Sequence, residues 1–361
     1  MWRRLVNTLF ILTLAALVCA PVAQMVRRVV KVQSLEERRE LHRVDGLWPR
    51  LMRLDASLAA DINNWFNDHY GFRDLLIRAK NELDYQVFRT SDKVLIGDDG
   101  WLFESDYYES LRRNDARAAA PLVQGVKDFN DCLMKRGIRL VVLYNVSKST
   151  MYPEHLPSFK ARAPREGLAQ KVAAALEQDH DLIFVNGERI LRPHKGETVF
   201  YRTDLHMNMR GAQLVYGELV ARMAAALGMD PPPTPHLERV VYPLSGGGER
   251  FLGKFRPLGE IVDEPRETGK AFKDDADGRW IVNISRPHEF GESASVFDFV
   301  FINLRKNVPL LPTTVLLGSS STDRFFGLGL NEAFQAIYRT KNGIVQRVPP
   351  VIENLPAGTK F

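Results

Sequence analysis

Apolar positions along the chain change period several times, and those changes mark out its elements. The first is a mainly apolar run from Leu5 to Val26, preceded by Arg3-Arg4 and followed by Arg27-Arg28 and Lys31. About 20 such residues just span a bilayer core, so residues 1–31 are expected to form an N-terminal membrane anchor. A cleaved signal peptide is the rival reading. Pro21 directly after Val18-Cys19-Ala20 disfavours processing there, and Cys19 lacks the small preceding residue of a lipoprotein signal. The anchor is therefore expected to stay uncleaved. Basic residues flank both of its ends, so they do not orient it. A lone first anchor usually leaves the rest of the chain, here everything after Lys31, outside the cytoplasm.

Residues 32–90 read as a helical juxtamembrane region. A charged helix starts near Ser34, and a break falls around Gly46-Leu47-Trp48-Pro49. A second helical segment then carries Leu58, Ile62, Trp65 and Phe66 at helical spacing. From residue 91 to 361 the pattern alternates. Two short apolar runs flanking Asp99-Gly100 predict a hairpin over 93–103. Helices are expected over 115–136 and 165–178, with strands over 138–144 and 182–185. A helix from Gly211 through Leu214, Leu219, Met223 and Leu227 ends at Pro231-Pro232-Pro233. Beyond it come a possible strand at 295–302, a strand at 313–317, a turn at 318–322, a helix at 323–336 and a final strand near Ile344. This alternation predicts a three-layer α/β domain with a mainly parallel sheet.

Composition narrows the function classes. The net charge of +5 is spread among many acids, and no Lys/Arg tract is interleaved with aromatics. Nucleic acid is therefore not an expected partner. Of the two cysteines, Cys19 lies in the anchor and Cys132 on a predicted helix, where burial is expected. That excludes a disulfide framework and a cysteine-based metal site. None of the eight histidines forms a recognisable metal constellation; His288-Glu289 lacks the second histidine of a metalloprotease helix. Neither metal nor cofactor is expected. Gly246-Gly247-Gly248 lacks the Lys and Ser/Thr of a phosphate loop. Asp68-His69 reads as a helix-end turn, because adjacent helical residues do not face each other.

Two stretches carry candidate chemistry. In Tyr201–Gly211, Asp204 and His206 are two residues apart just before a helix. On an extended approach both would point to one side, with Asp204 holding one imidazole tautomer and freeing the other nitrogen as a base. The second stretch is Gly318-Ser319-Ser320-Ser321-Thr322, after the apolar run Val315-Leu316-Leu317. A strand-to-helix turn exposes a serine hydroxyl and offers backbone N–H groups to an oxyanion. Together they supply nucleophile, base and orienter for acyl transfer. The loop Asn145–Pro153, after a strand's C-terminal end, lies where α/β sheets bind ligands.

Several motifs in order give this chain a family resemblance. They are Asp68-His69-Tyr70-Gly71-Phe72-Arg73, then Ile96-Gly97-Asp98-Asp99-Gly100-Trp101-Leu102-Phe103, then Lys148-Ser149-Thr150-Met151-Tyr152-Pro153-Glu154-His155-Leu156-Pro157. Thr203, Asp204, His206, Asn208 and Gly211 follow, and later Gly318, Ser319 and Ser320. The succession resembles the SGNH-hydrolase-like family of alginate O-acetylation proteins, AlgJ and AlgX, over roughly residues 40–345. The resemblance implies an SGNH-like domain tethered to the inner membrane and facing the periplasm. It implies Ser320 as nucleophile, His206 as base and Asp204 as orienter. Asn208, Lys148, Tyr152 and Ser319 are expected on the substrate side. The implied reaction moves acetyl groups onto hydroxyls of an exopolysaccharide, with a membrane-bound O-acyltransferase partner supplying acetyl. The sequence departs from the family at Met207, usually tryptophan, at Ser321, usually aromatic, and at Ser319, usually Asp or Thr. Ser319 and Ser321 therefore remain rival nucleophiles. An acetylesterase with the same triad is the nearest alternative activity. A non-catalytic polysaccharide-binding or scaffold module, with Trp101, Tyr107, Tyr108 and Tyr152 stacking on sugars, is the alternative of another class.

Overall fold

The structure, a computed structural model, describes residues 2–27, 41–91, 94–105, 118–157, 167–232, 237–238, 268–269, 281–284, 297–305, 309–341 and 350–361. The chain divides into two compact units, Met1–Ile96 with Gly248–Val262, and Gly97–Gly247 with Asp263–Phe361.

The first unit is helical. Helix α1 (Trp2–Arg27) is, among the described residues, the one helix long and apolar enough to cross a membrane. Helices α2 (Leu47–Met52), α3 (Leu58–His69) and α4 (Arg73–Leu83) follow, and β1 (Val94–Ile96) comes last. The expected break at Gly46–Pro49 is instead a helix start. Gly46 turns the chain at φ +62°, and Pro49 falls in the first helical turn, where its missing N–H has no helical acceptor to lose. His69 stacks on Trp65 at 5.1 Å, with Nδ1 2.9 Å from the Trp65 carbonyl, so it does pack a helix end. The charged helix expected from Ser34 lies outside the described residues.

The second unit opens with β2 (Leu102–Glu104), α5 (Ala119–Met134), β3 (Val141–Tyr144) and the short α6 (Lys148–Met151). Next come α7 (Leu168–Glu177), β4 (Ile183–Asn186), α8 (Gly187–Leu191) and α9 (Met209–Ala226). β3 and β4 pair in parallel, Val141 opposite Ile183 through Tyr144 opposite Asn186. Ala173 and Leu176 of α7 cover this pair through Leu182 and Phe184, with Val123 and Val126 of α5 alongside. Cys132 is exposed on α5, against the expectation of burial. Its neighbours take the inward face: Leu133 is buried, and buried Asn130 donates to the Asp181 carbonyl at 3.2 Å.

A short antiparallel pair, β5 (Leu237–Glu238) and β6 (Thr268–Gly269), precedes a four-stranded sheet. That sheet is built from β7 (Ile281–Ile284), β8 (Phe299–Asn303), β9 (Thr314–Gly318) and β10 (Ala336–Lys341), in the order β7-β8-β10-β9. β9 and β10 are parallel, and β7 and β8 extend the sheet in antiparallel fashion. The helix expected over 323–336 is only α10 (Asp323–Phe326) and a 3-10 turn at Leu330–Glu332. Gly327 and Gly329, the latter at φ +77°, interrupt it. β10 begins where that helix was expected to end, and the strand expected near Ile344 lies outside the described residues. The C-terminal tail joins the two parallel pairs. Arg139 N–H donates to Lys360 O (2.9 Å), and Val315 N–H donates to Phe361 O (2.8 Å). β3 and β9 therefore both start at the tail and carry their C-terminal ends away from it, toward Lys148 and Ser319.

Candidate active site

The segment Val199–Asn208 is a small hairpin. Asn208 N–H donates to Val199 O (3.1 Å), Tyr201 N–H to His206 O (3.3 Å), and Phe200 bridges Met207. Asp204 sits at its tip. One carboxylate oxygen lies 2.6 Å from His206 Nδ1 and accepts the His206 backbone N–H at 3.0 Å. The Asp-x-His spacing thus works through an Asx-type turn rather than the extended approach expected from the sequence. Both side chains are no more than 3% exposed. A carboxylate at Nδ1 selects the tautomer protonated there, which leaves Nε2 as the basic nitrogen. Burial alone would raise the Asp204 carboxyl. The His206 hydrogen bond and charge, its backbone N–H and the Arg324 guanidinium more than offset that and hold it below the usual carboxylate range.

Three residues expected on the substrate side hold this hairpin in place. Lys148 is 4% exposed, and its ammonium donates to the carbonyls of Tyr201 (3.0 Å), Arg202 (2.8 Å) and Asp204 (2.7 Å). Three acceptors use the three donors of an ammonium, which sits over the rings of Trp101 and Phe103. The buried Tyr152 hydroxyl accepts from Val199 N–H (2.9 Å) and donates to Lys195 O (3.1 Å). Asn208 caps α9, its side-chain oxygen accepting Gly211 N–H at 2.9 Å, while its amide donates to the Thr198 carbonyl. Gly211 is required by contact, since a Cβ there would stand 2.3 Å from Val199 O. Met207, where the resemblance would place a tryptophan, is buried within the hairpin, opposite Phe200.

On the other side, β9 ends at Gly318 and Ser320–Thr322 form one 3-10 turn before α10. Ser319 is exposed; its carbonyl accepts Thr322 N–H at 3.1 Å, and its hydroxyl accepts Ser321 N–H at 3.4 Å. The Ser320 side chain lies outside the described residues. Arg339, buried in β10, fastens the turn from below by donating to Thr322 Oγ1 (3.0 Å) and the Asp323 carboxylate. Arg324, four residues past Ser320, places Nη2 3.7 Å from Asp204 Oδ2 and its guanidinium over the Tyr201 ring. Phe325 packs on Tyr216 of α9, with ring centroids 6.5 Å apart. The serine turn and the acid–base hairpin are thereby brought together. The sequence reading missed Arg324 and Arg339; Arg324 carried a signal, a cation one helical turn past the serine.

An apolar cavity of about 380 Å3 opens beneath the turn, lined by Leu143, Leu317, Ser319, Ser321 and Phe325 among others. Trp101 and Tyr152 are buried against each other at 4.5 Å, with His155 stacked on Trp101 at 4.6 Å, so they pack rather than present open faces. Tyr107 and Tyr108 lie outside the described residues. Among the described residues, no group of three or more His, Cys, Asp or Glu gathers as metal ligands.

Known proteins share parts of this sequence and its fold. Residues 94–248 match the family described as "SGNH hydrolase-like domain, acetyltransferase AlgX". This supports the resemblance seen in the motifs and the SGNH-like domain, and it ends before the serine turn. The chain is 29% identical over 223 residues to the probable alginate O-acetylase AlgJ of Pseudomonas aeruginosa, covering 58% of this chain and 53% of the relative. It is 24% identical over 223 residues to the probable alginate O-acetylase AlgJ of Pseudomonas syringae pv. tomato, covering 59% and 55%. The chain spans about half the length of these curated relatives. It shares its fold with Bacillus cereus PatB1, solved with a sulfonyl adduct, at a TM-score of 0.51 and 13% identity over 72% of this chain and 91% of that one.

Proposed function

We propose that this chain is an O-acetyltransferase that moves acetyl groups onto hydroxyls of an exopolysaccharide through a Ser320-His206-Asp204 triad. The observation that carries the reading is the buried 2.6 Å contact between Asp204 and His206 Nδ1. In water an exposed acid-base pair is worth little; sealed from solvent, it fixes the tautomer and stabilises the imidazolium that forms when Nε2 takes a proton. The matched SGNH-like segment and the alginate O-acetylase relatives support the same chemistry.

In the proposed cycle the Ser320 hydroxyl attacks an acetyl carbonyl while His206 Nε2 accepts its proton. The oxyanion is held by backbone N–H groups of the serine turn. Collapse breaks the bond to the donor, whose leaving oxygen takes the proton from His206, and acetyl-Ser320 remains. A sugar hydroxyl, deprotonated by His206, attacks this ester and regenerates the serine. The apolar wall beneath the turn suits the methyl group. α1 would anchor the chain in the inner membrane with the SGNH-like unit in the periplasm. No acetyl-CoA is available there, so a membrane-bound O-acyltransferase would supply acetyl.

The test incubates the full chain with an activated acetyl ester and candidate oligosaccharides, with product mass spectrometry. Acetylated sugar with wild type, and none with Ser320→Ala or His206→Ala, is the expected result. Free acetate without acetylated sugar on any acceptor would make the protein an esterase. Equal activity in wild type and Ser320→Ala would overturn the triad.

A further inference from the structure

The helical unit carries an apolar surface that the acyl-transfer reading does not use. Within eight residues Leu47, Trp48, Leu51, Met52 and Leu54 are all exposed, Trp48 at 71%, Met52 at 82% and Leu54 at 87%. Single exposed apolar residues are ordinary on a soluble surface, but a contiguous group marks an interaction site. This group is not a frayed end. Arg50 N–H donates to Gly46 O and Asp55 N–H to Arg50 O, both at 3.0 Å. The Arg50 guanidinium is tied to Asp55 (2.7 Å), Ser57 (2.8 Å) and Asp61 (2.5 Å). Arg50 and Ser57 in turn hold the Asp55 carboxyl down to about 2. Leu54 adopts φ +52°, a left-handed conformation that leucine rarely takes, and it projects its side chain outward with no internal packing in return.

The same unit ties this surface to α1. His42 N–H donates to Asp68 at 2.8 Å, and His42 Nε2 lies 3.3 Å from Asp61, the residue that holds Arg50. Gly71, at the α3–α4 turn, sits directly on α1, where a Cβ would come within 2.0 Å of Pro21 O. Pro21 and Gln24 are the buried residues of α1. Pro21 lies six residues before Arg27, about 9 Å along a helix, and inside the apolar run. The α3–α4 turn, to whose helix α3 the patch is tied through Arg50 and Asp61, therefore meets α1 near the membrane–water boundary.

We propose that Leu47–Leu54 is an interfacial element lying on the bilayer that α1 crosses. Trp48, Leu51, Met52 and Leu54 insert at headgroup depth, and exposed Arg53 faces lipid phosphate. A tryptophan with an exposed arginine nearby suits that zone, where an amphipathic ring and a cationic head both find partners. The inference rests on α1 spanning a membrane and is independent of the triad.

The test uses the full chain in liposomes of phosphatidylethanolamine and phosphatidylglycerol. Met52→Cys and Leu54→Cys, each in a Cys19→Ser/Cys132→Ser background, are labelled with an environment-sensitive fluorophore and quenched by lipids spin-labelled at known depths. Native Cys19, alone, reports the membrane interior; native Cys132, alone and exposed on α5, reports water. Co-flotation with vesicles and quenching at Cys19 first establish the anchor. Quenching at Met52→Cys and Leu54→Cys by shallow labels, several-fold above that at Cys132, is expected. Quenching equal to that at Cys132 overturns the proposal. A blue-shifted emission without lipid quenching also overturns it, because a protein surface or a second copy would then cover the patch.

Discussion

The Lys148 ammonium donates to the Asp204 carbonyl at 2.7 Å, so the first residue of α6, just beyond β3, fixes the backbone that carries the acid of the acid–base pair. Replacing Lys148 with methionine keeps the volume but leaves three inward carbonyls without their donor. A charge-assisted hydrogen bond contributes about 1.5–3 kcal/mol, so Lys148→Met is expected to lower unfolding stability by about 3 kcal/mol or more. A misplaced base typically costs roughly 100-fold in rate, and acetyl transfer should fall by that order at temperatures where the variant is still folded. Urea unfolding and initial rates check both; full activity would remove Lys148 from the positioning of the site.

Asp204→Asn keeps the shape of the acid and loses its tautomer control. For the proposed triad a rate loss of roughly 10⁴-fold is expected, by analogy with serine–histidine–aspartate triads. Its effect on stability depends on pH in a defined direction. The native Asp204 carboxyl lies below its ordinary range. Its stabilising contribution is therefore complete above the unfolded value of about 3.9 and is lost as pH falls through the lower native value. The stability gap between wild type and Asp204→Asn should be widest at neutral pH and narrow below about pH 4. Urea midpoints at several pH values measure this, and a gap that does not vary with pH would contradict it.

Arg324 reaches Asp204 from the helix after the serine turn, at 3.7 Å and partly open to solvent. Such a pair contributes on the order of 1 kcal/mol, which corresponds to about a 5-fold loss of kcat for Arg324→Ala. KM for the sugar should stay close to the wild-type value, because the guanidinium faces the acid rather than the acceptor. A change confined to KM would instead make Arg324 a substrate contact.

Gly211→Ala tests the seat of the hairpin on α9. The added methyl would stand 2.3 Å from Val199 O, a backbone atom. Overpacking of this kind costs about 1–3 kcal/mol, and the strain falls on the strand leading to His206. A thermal unfolding series with Gly211→Ala and Gly211→Ser should show both destabilised, the serine no less than the alanine.

The legibility of each feature in the sequence depended on how local its signal was. Asp204 and His206 are two residues apart, so their pairing was visible although the turn that achieves it was not. Lys148 grips carbonyls 53 to 56 residues away, and no spacing rule links those positions; its motif suggested a substrate contact, and the packing made it a clamp. The β-α alternation gave the α/β domain. β10 was hidden because Arg339 lies buried within it and breaks the apolar pattern that marks a strand. α2 was hidden because Pro49 reads as a breaker unless it is placed in a first turn. The helix pattern alone points Cys132 inward, whereas Asn130 takes the inward side by donating to the Asp181 carbonyl.

A serine acyl-enzyme driven by the buried Asp204–His206 pair is tested most directly by trapping the intermediate. The full chain is mixed with an activated acetyl ester without sugar acceptor, quenched in acid and digested, and the peptide spanning Gly318–Thr322 is sequenced by mass spectrometry. An acetyl group on Ser320, absent from His206→Ala and unchanged in Ser319→Ala and Ser321→Ala, is the predicted result. Acetylation that persists in Ser320→Ala, or that maps to Ser319 or Ser321, would contradict it.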